Sequence, residues 1–179
     1  MEKEDLRLVE PSLEFREDFQ NMAREYLAAG AQHPYNKARD EEALKDFAAY
    51  IVKLLAQARG LQLPAGFVPC STYWLVRDGK TVVAESGLRH RLTEGLEHHG
   101  GHIGYRVRPS ERRKGYGTLL CALTLEKARA MGLKRVLITC DADNAASARI
   151  IVKNGGRLEN QVISRFTGKL VNRYWIEVR

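Results

Sequence analysis

The stretch that most constrains this chain runs from His102 to Thr118. Ile103, Tyr105 and Val107 alternate with Gly104 and Arg106, which is the period of a strand. Pro109 ends that strand, because proline cannot donate to a ladder. Arg112, Arg113 and Lys114 then stand directly before Gly115, Tyr116 and Gly117. From Thr118 onward Leu119, Leu120, Ala122, Leu123, Ala128 and Met131 follow helical spacing. The order is strand, basic glycine turn, helix. A helix start carries about four unpaired N–H groups and roughly half a positive charge, and glycines let a ligand come close to the backbone. The guest that such a turn suits is a phosphate or pyrophosphate.

The rest of the chain supplies the frame. Leu6 and Val9 suggest a short first strand ended by Pro11. Apolar residues from Leu13 to Leu27 recur at helical spacing, with Gly30 as the stop, and a second helix is expected over 41–59 after a loop at 33–36. Thr72–Val76 and Thr81–Arg91 read as a hairpin turning at Asp78 and Gly79. Val136–Thr139 reads as a short buried strand, Asn144 as the cap of a helix over 145–154, and the tail as a hairpin turning at Gly168 and Lys169. The fold class is therefore α/β (α+β), a mixed sheet flanked by helices. One domain is expected over 1–179, with a strand and helical region at 1–70 and a sheet and ligand-binding core at 71–179.

Charge narrows the ligand. Residues 1–60 carry 9 Lys/Arg against 12 Asp/Glu, a net of −3, and residues 61–179 carry 20 against 10, a net of +10. The positive potential shares its part of the chain with the glycine turn, which fits a polyanionic small ligand or a nucleic acid. Tyr73, Trp74 and Trp175 read as core aromatics rather than a base-stacking platform, so the small ligand is preferred. No apolar run approaches the ~20 residues of a membrane span. The acidic start and three scattered cysteines (Cys70, Cys121, Cys140) give the expectation of a cytoplasmic protein with reduced thiols. A Rossmann fingerprint fails for want of its third glycine and acidic partner, and a P-loop for want of Gly-Lys-Ser/Thr.

The run Arg112 to Gly117 resembles the Arg/Gln-x-x-Gly-x-Gly/Ala signature of the GNAT superfamily of acyl-CoA N-acyltransferases. Val107-Arg108-Pro109 before it, and Asn144 to Ser147, Lys153 and Gly155 after it, extend the likeness. The fuller string, with Arg89-His90, Asn154-Gly155-Gly156 and Arg173-Tyr174-Trp175, is similar to a bacterial branch of predicted acetyltransferases. The resemblance implies a splayed central sheet and acetyl-CoA as co-substrate, without a metal. It implies that Arg112, Arg113, Lys114, Gly115, Tyr116, Gly117 and Thr118 hold the pyrophosphate. It further implies that the backbone at Tyr105, Arg106 and Val107 pairs with the pantetheine arm, and that Asn144, which also reads as a plain cap, bonds to it. The acceptor it implies is a small-molecule or peptide amine, with a homodimer as the common assembly.

The catalytic end stays open. In the family an acidic residue often begins the central strand as base; here His102 holds that place, with Glu85 and His90 as rivals. A tyrosine that serves as general acid in many members is replaced by Ile151, leaving Tyr105 or Tyr174 as substitutes. Cys140 reads as a small buried residue rather than a nucleophile. His98-His99-x-x-His102 has a metal-like look, but glycines interrupt it and no acid or cysteine supports it. Arg89 and Arg91 share a strand face, which is either solvent-facing or a substrate-side anion contact. The reading from another class is a non-catalytic acyl-CoA-binding sensor or an RNA-associated module.

Overall fold

The computed structural model describes residues 5–30 and 33–178. β1 (Leu6–Val9) leads through a 3-10 turn at Leu13–Phe15 into α1 (Arg16–Ala29), α2 (Pro34–Lys45) and α3 (Phe47–Ala58). β2 (Cys70–Arg77) and β3 (Thr81–Arg89) form a hairpin, followed by the short α4 (Glu94–His98) and by β4 (Ile103–Val107). A 3-10 turn at Pro109–Glu111 precedes α5 (Tyr116–Ala130), and β5 (Arg135–Asp141), α6 (Ala145–Lys153), β6 (Arg157–Ile163) and β7 (Leu170–Glu177) complete the chain.

The helical region differs from the expectation in one place. The single helix expected over 41–59 is two, and the loop expected at 33–36 is the start of α2. Asp46 makes the break: its backbone is extended, and its carboxylate accepts from the Ala49 N–H at 3.0 Å, the competition with helix hydrogen bonds that aspartate offers. His33 caps α2 through Nδ1, and Pro34 occupies the first turn, where its missing N–H costs nothing.

The strands form two antiparallel sheets, β1-β2-β3-β4 and β5-β7-β6. Alternation along β2 and β3 sends their side chains to two different cores. On one face Trp74, Val76 and Val82 pack with Phe19, Met22, Tyr26, Phe47, Tyr50, Ile51 and Leu54 from the three helices. The Phe19 and Trp74 rings stack at 4.4 Å, within the range that favours aromatic pairs. On the other face Tyr73, Leu88 and Ile103 meet Cys121, Leu125 and Ala128 of α5, Val136 and Ile138 of β5, and Ile151 of α6. The second core spans both sheets, so α5 and α6 hold together what the strands leave unjoined.

Among the described residues, β4 and β5 approach within backbone pairing distance at one end, at His102 and Leu137. The His102 N–H donates to the Leu137 carbonyl at 2.7 Å, and the Leu137 N–H donates back to His102 Nδ1 at 3.0 Å. Gly101 sits tight against this joint: it has φ +61, and a Cβ there would fall on the Leu137 carbonyl oxygen. Gly101→Ala is therefore expected to lower stability by roughly 2–3 kcal/mol in urea unfolding. Gly104→Ala, where an added Cβ meets nothing within 4 Å, should stay within about 0.5 kcal/mol of wild type. Equal effects at the two sites would contradict the joint.

Candidate active site

The glycine turn sits between β4 and α5. Arg113 (φ +64) and Gly115 (φ +90) adopt left-handed backbone, and no side chain caps the N-terminus of α5. Within the first turn the Thr118 N–H donates to the Gly115 carbonyl at 3.1 Å, and the exposed Gly115 forms the outer end of the helix. Gly117 serves close packing: a Cβ there would lie 2.7 Å from Ile150 Cδ1 and 3.4 Å from Val107 Cγ2. The basic residues divide. Arg113 is exposed, and Arg112 is exposed with Nε 3.4 Å from the Val107 carbonyl. Lys114 donates to Glu111 at 2.8 Å, and Arg77 holds that same carboxylate from the other side at 3.0 Å. The Tyr116 side chain points inward, buried with Leu75, Val83 and Ala84, and its hydroxyl accepts from Arg77. Thr118 lies within the first turn of α5, where its carbonyl accepts from the Asn154 side chain.

β4 is the last strand of its sheet. Arg108 N–H donates to Val83 and Arg89 N–H to the His102 carbonyl, so in the antiparallel alternation the even-numbered residues of β4 bond to β3. The N–H and C=O groups of Tyr105 and Val107 then face the opposite edge, toward β5. Past the His102–Leu137 joint no strand pairs with that edge among the described residues.

His102 is buried at that joint. Its Nδ1 lone pair is committed to Leu137, and burial, aided by the Arg89 charge, lowers its pKa to about 4. The ring is neutral at pH 7, with its proton on Nε2. Glu85 is buried in a different place. Arg106 Nε donates to its Oε1 at 2.8 Å, Trp74 Nε1 to its Oε2 at 3.2 Å, and Arg39 stands 3.4 Å away. Burial alone raises a carboxyl, but here Arg106 and Arg39 outweigh it and hold Glu85 below the usual range. Arg106 continues to Asp40 of α2 with two bonds of 2.8 and 2.6 Å and lies over the Tyr26 ring at 4.1 Å. Arg39 and Asp40 belong to this cluster and went unnoticed in the sequence, where they sit on an ordinary charged helix.

Beside the cluster a cavity of about 580 Å³ opens between α2, α3, the 63–68 loop, the inner face of β2–β4, the 96–100 segment and the β6–β7 turn. Glu85, Arg89, Gly104, Tyr105 and Arg106 line it; His102, Tyr174 and His90 do not. His99 lines it too, a residue that the sequence offered only as part of a metal-like run. Ser164 Oγ accepts from the Phe166 and Thr167 N–H groups and lies 2.7 Å from His99 Nδ1. Its own proton therefore goes to Nδ1, leaving an N–H at Nε2. Burial, set against the attraction of Asp141, keeps the His99 pKa below its ordinary value.

The other candidates stand apart. Tyr174 is buried in the second core, with its hydroxyl 3.4 Å from Asn172 Nδ2. The Tyr105 hydroxyl lies 2.9 Å from Ser147 Oγ of α6. Asn144 caps α6 by accepting from the Ser147 N–H at 3.0 Å. Ile151 is fully buried. His90 bonds to Ser71 at 2.8 Å. Burial raises the Cys140 thiol. The three histidines of the metal-like run go to three different partners, since His98 Nε2 reaches the Ile163 carbonyl at 2.9 Å. No group of three or more His, Cys, Asp or Glu among the described residues is placed to hold a metal ion.

Comparison with known proteins adds to this geometry. The acetyltransferase (GNAT) domain profile matches residues 5–157. Comparison with curated proteins returns no match. Among solved structures, the fold is similar to that of RimL, a ribosomal L7/L12 alpha-N-protein acetyltransferase in complex with coenzyme A (TM-score 0.70, 19% identity, 97% of this chain and 94% of that one). It is similar to the microcin C7 self-immunity acetyltransferase MccE bound to acetyl-CoA and AMP (TM-score 0.69, 14% identity, 97% and 93%). It is also similar to RimJ of Mycobacterium smegmatis with a coenzyme A disulfide (TM-score 0.70, 19% identity, 96% and 81%).

Glu85→Gln would leave Arg39 and Arg106 sharing one buried carboxylate, and is expected to cost about 3–5 kcal/mol in urea unfolding at pH 7. The folded pKa of Glu85 lies below its unfolded value of about 4.3. Its contribution is therefore fully present above that value and is lost as pH falls through the folded pKa. The wild-type and variant stabilities should converge only below about pH 4; a gap that closes between pH 7 and 5 would contradict the ion pairing.

Proposed function

The chain belongs to the GNAT acetyltransferase family, and from that premise we propose that it transfers the acetyl group of acetyl-CoA to the primary amine of a small-molecule or peptide acceptor. The observation that carries the reading is the unpaired edge of β4, running from the cavity to the uncapped N-terminus of α5. The same edge gives a place for a pantetheine arm to add as a strand would, and the helix end suits a pyrophosphate. The family match lends no support to a non-catalytic acyl-CoA or RNA-associated module.

In this reading the Gly115–Thr118 backbone, Arg112 and Arg113 hold the pyrophosphate, and Lys114 contributes from its ion pair with Glu111. Tyr105 and Val107 align the arm through their outward N–H and C=O groups, while Arg106 anchors the strand to α2 through its side chain. Asn144 orders the start of α6. Acetyl-CoA supplies an activated thioester carbonyl. The Val107 N–H is the donor that can stabilise the oxyanion as the amine nitrogen bonds to that carbon. The C–N bond forms, the C–S bond breaks, and the thiolate, whose pKa is about that of cysteine near 8.5, leaves without a strong acid. Burial holds the Tyr105 hydroxyl well above its ordinary pKa and Ser147 engages it, so the thiolate takes its proton from water.

The amine proton goes to water. Glu85 is held ionised by two arginines, His99 presents an N–H, and His102 lies outside the cavity with its lone pair committed. The chain thus binds and aligns the reactants and leaves deprotonation to the acceptor's own acidity. Two acceptors of different amine pKa should then give kcat/KM profiles whose acid limbs are displaced by that difference. His99, faced by Asp141, His98, His33 and Arg89, should leave the limb in place when replaced by Gln. A limb that stays fixed across acceptors would overturn this assignment and restore an enzymic base.

Arg113→Ala is expected to raise the KM for acetyl-CoA about tenfold, the loss of one charge-assisted contact, with unchanged unfolding because Arg113 is exposed. Coenzyme A analogues lacking the pyrophosphate should bind wild type and variant alike; an equal loss for such analogues would refute the assignment.

A further inference from the structure

The floor of the cavity is a gap in a sheet face. Along this face Glu85 stands opposite Arg106, Gly87 opposite Gly104, and Arg89 opposite Cys70. Neither Gly87 nor Gly104 has a positive φ, so their backbone would accept any L-residue. A Cβ at Gly104 meets nothing within 4 Å, and one at Gly87 meets only Cys70 Sγ at 3.3 Å. The two glycines therefore leave room rather than make a turn, as glycine does in a strand where something approaches closely.

The two ends of the gap differ in charge. At one end Arg39 and Arg106 are matched by Glu85 and Asp40. At the other, Arg89 has no carboxylate partner among the described residues. Its Nη1 donates to the Gly100 and Gly101 carbonyls at 3.1 and 2.9 Å, which fixes the guanidinium without neutralising it. Its field adds to the lowered pKa of both His99 and His102. His99 offers a second donor to the same cavity through Nε2. Around the mouth three aromatic rings are left exposed, Tyr35 at 45%, Phe67 at 46% and Phe166 at 69%. Tyr35 lies 6.2 Å from Phe67, and Phe166 lies 6.2 Å from His99.

We propose that the acceptor is a small primary amine that also carries a carboxylate and a bulky apolar or aromatic side chain, the chemistry of an apolar α-amino acid. Arg89 holds the carboxylate, the Gly87–Gly104 gap admits the amine toward β4, and the exposed rings flank the side chain. The inference rests on the acetyl-transfer reading for what happens to the amine, but not for the binding itself. A polycation is disfavoured by the same unmatched charge.

The test uses the full chain loaded with coenzyme A and matched amines: L-phenylalanine, L-phenylalaninamide and phenethylamine, with spermidine as the polycation. Binding is read by calorimetry, and turnover by thiol release from acetyl-CoA. Phenylalanine should bind at least tenfold more tightly than its amide. Its kcat/KM should also be higher, although the amide's less basic amine is the larger fraction neutral at pH 7.5. Arg89→Gln should abolish the preference, Arg89→Lys should keep part of it, and Gly104→Val should weaken phenylalanine binding by filling the floor. The coenzyme A thermal shift of each variant shows that it is folded. Equal or better use of the amide, a preference that survives Arg89→Gln, or no binding of any member overturns the proposal. Carboxylate-dependent binding without thiol release keeps the proposal and instead removes the acetyl-transfer reading. Thiol release from amines regardless of carboxylate does the reverse.

Discussion

Two hydrogen bonds between His102 and Leu137 decide the shape of this molecule. They are what a ladder between β4 and β5 would contribute at one rung, with the imidazole Nδ1 standing in for a backbone carbonyl. Beyond that rung the strands part, and the Tyr105 and Val107 backbone is left facing a gap. A half-buried edge with unpaired donors is costly unless water or a partner completes it. The edge lies beside a helix end with no side-chain cap, and in the proposed reading a ligand with both amide and phosphate groups would find partners at each.

The second constraint is the charge cluster that fixes β4 from its other face. Arg106 reaches from the strand to Asp40 on α2 and to Glu85 on β3, and lies on Tyr26 of α1. Four elements are thereby held in register around one guanidinium. A rigid β4 matters in the proposed reading, where both reactants would meet it, the arm along its edge and the acceptor over Gly104. The cluster stabilises position more than it offers chemistry: Glu85 is held ionised by Arg106 and Arg39 and so is a weak base, while Asp40, raised by burial, keeps both its oxygens on Arg106. This is the physical reason that Glu85, a natural candidate by residue type, serves as an anchor.

The sequence carried the backbone plan well. Alternation at 103–107, the basic glycine run, the Asp78-Gly79 turn and the Asn144 cap are local signals, and local chemistry decides them. What it could not carry was side-chain direction over long separations. Tyr116 sits in a motif that looks ligand-facing, yet Arg77, 39 residues earlier, takes its hydroxyl into the core. His102 looks like a base at a strand end until Leu137, 35 residues on, claims its nitrogen. The break at Asp46 was local but hidden, because the apolar spacing runs through it. Arg89 was legible as one of two possibilities, and only the glycine gap beside it separates them.

In the proposed reading the odd-numbered edge of β4 receives the pantetheine arm as a strand. Amide hydrogen exchange with and without coenzyme A tests it residue by residue. Tyr105 and Val107 should exchange readily in the free protein and become protected when coenzyme A saturates. Gly104 and Arg106, already bonded to β3, should change little. Protection that leaves 105 and 107 unchanged at saturating coenzyme A would contradict the account.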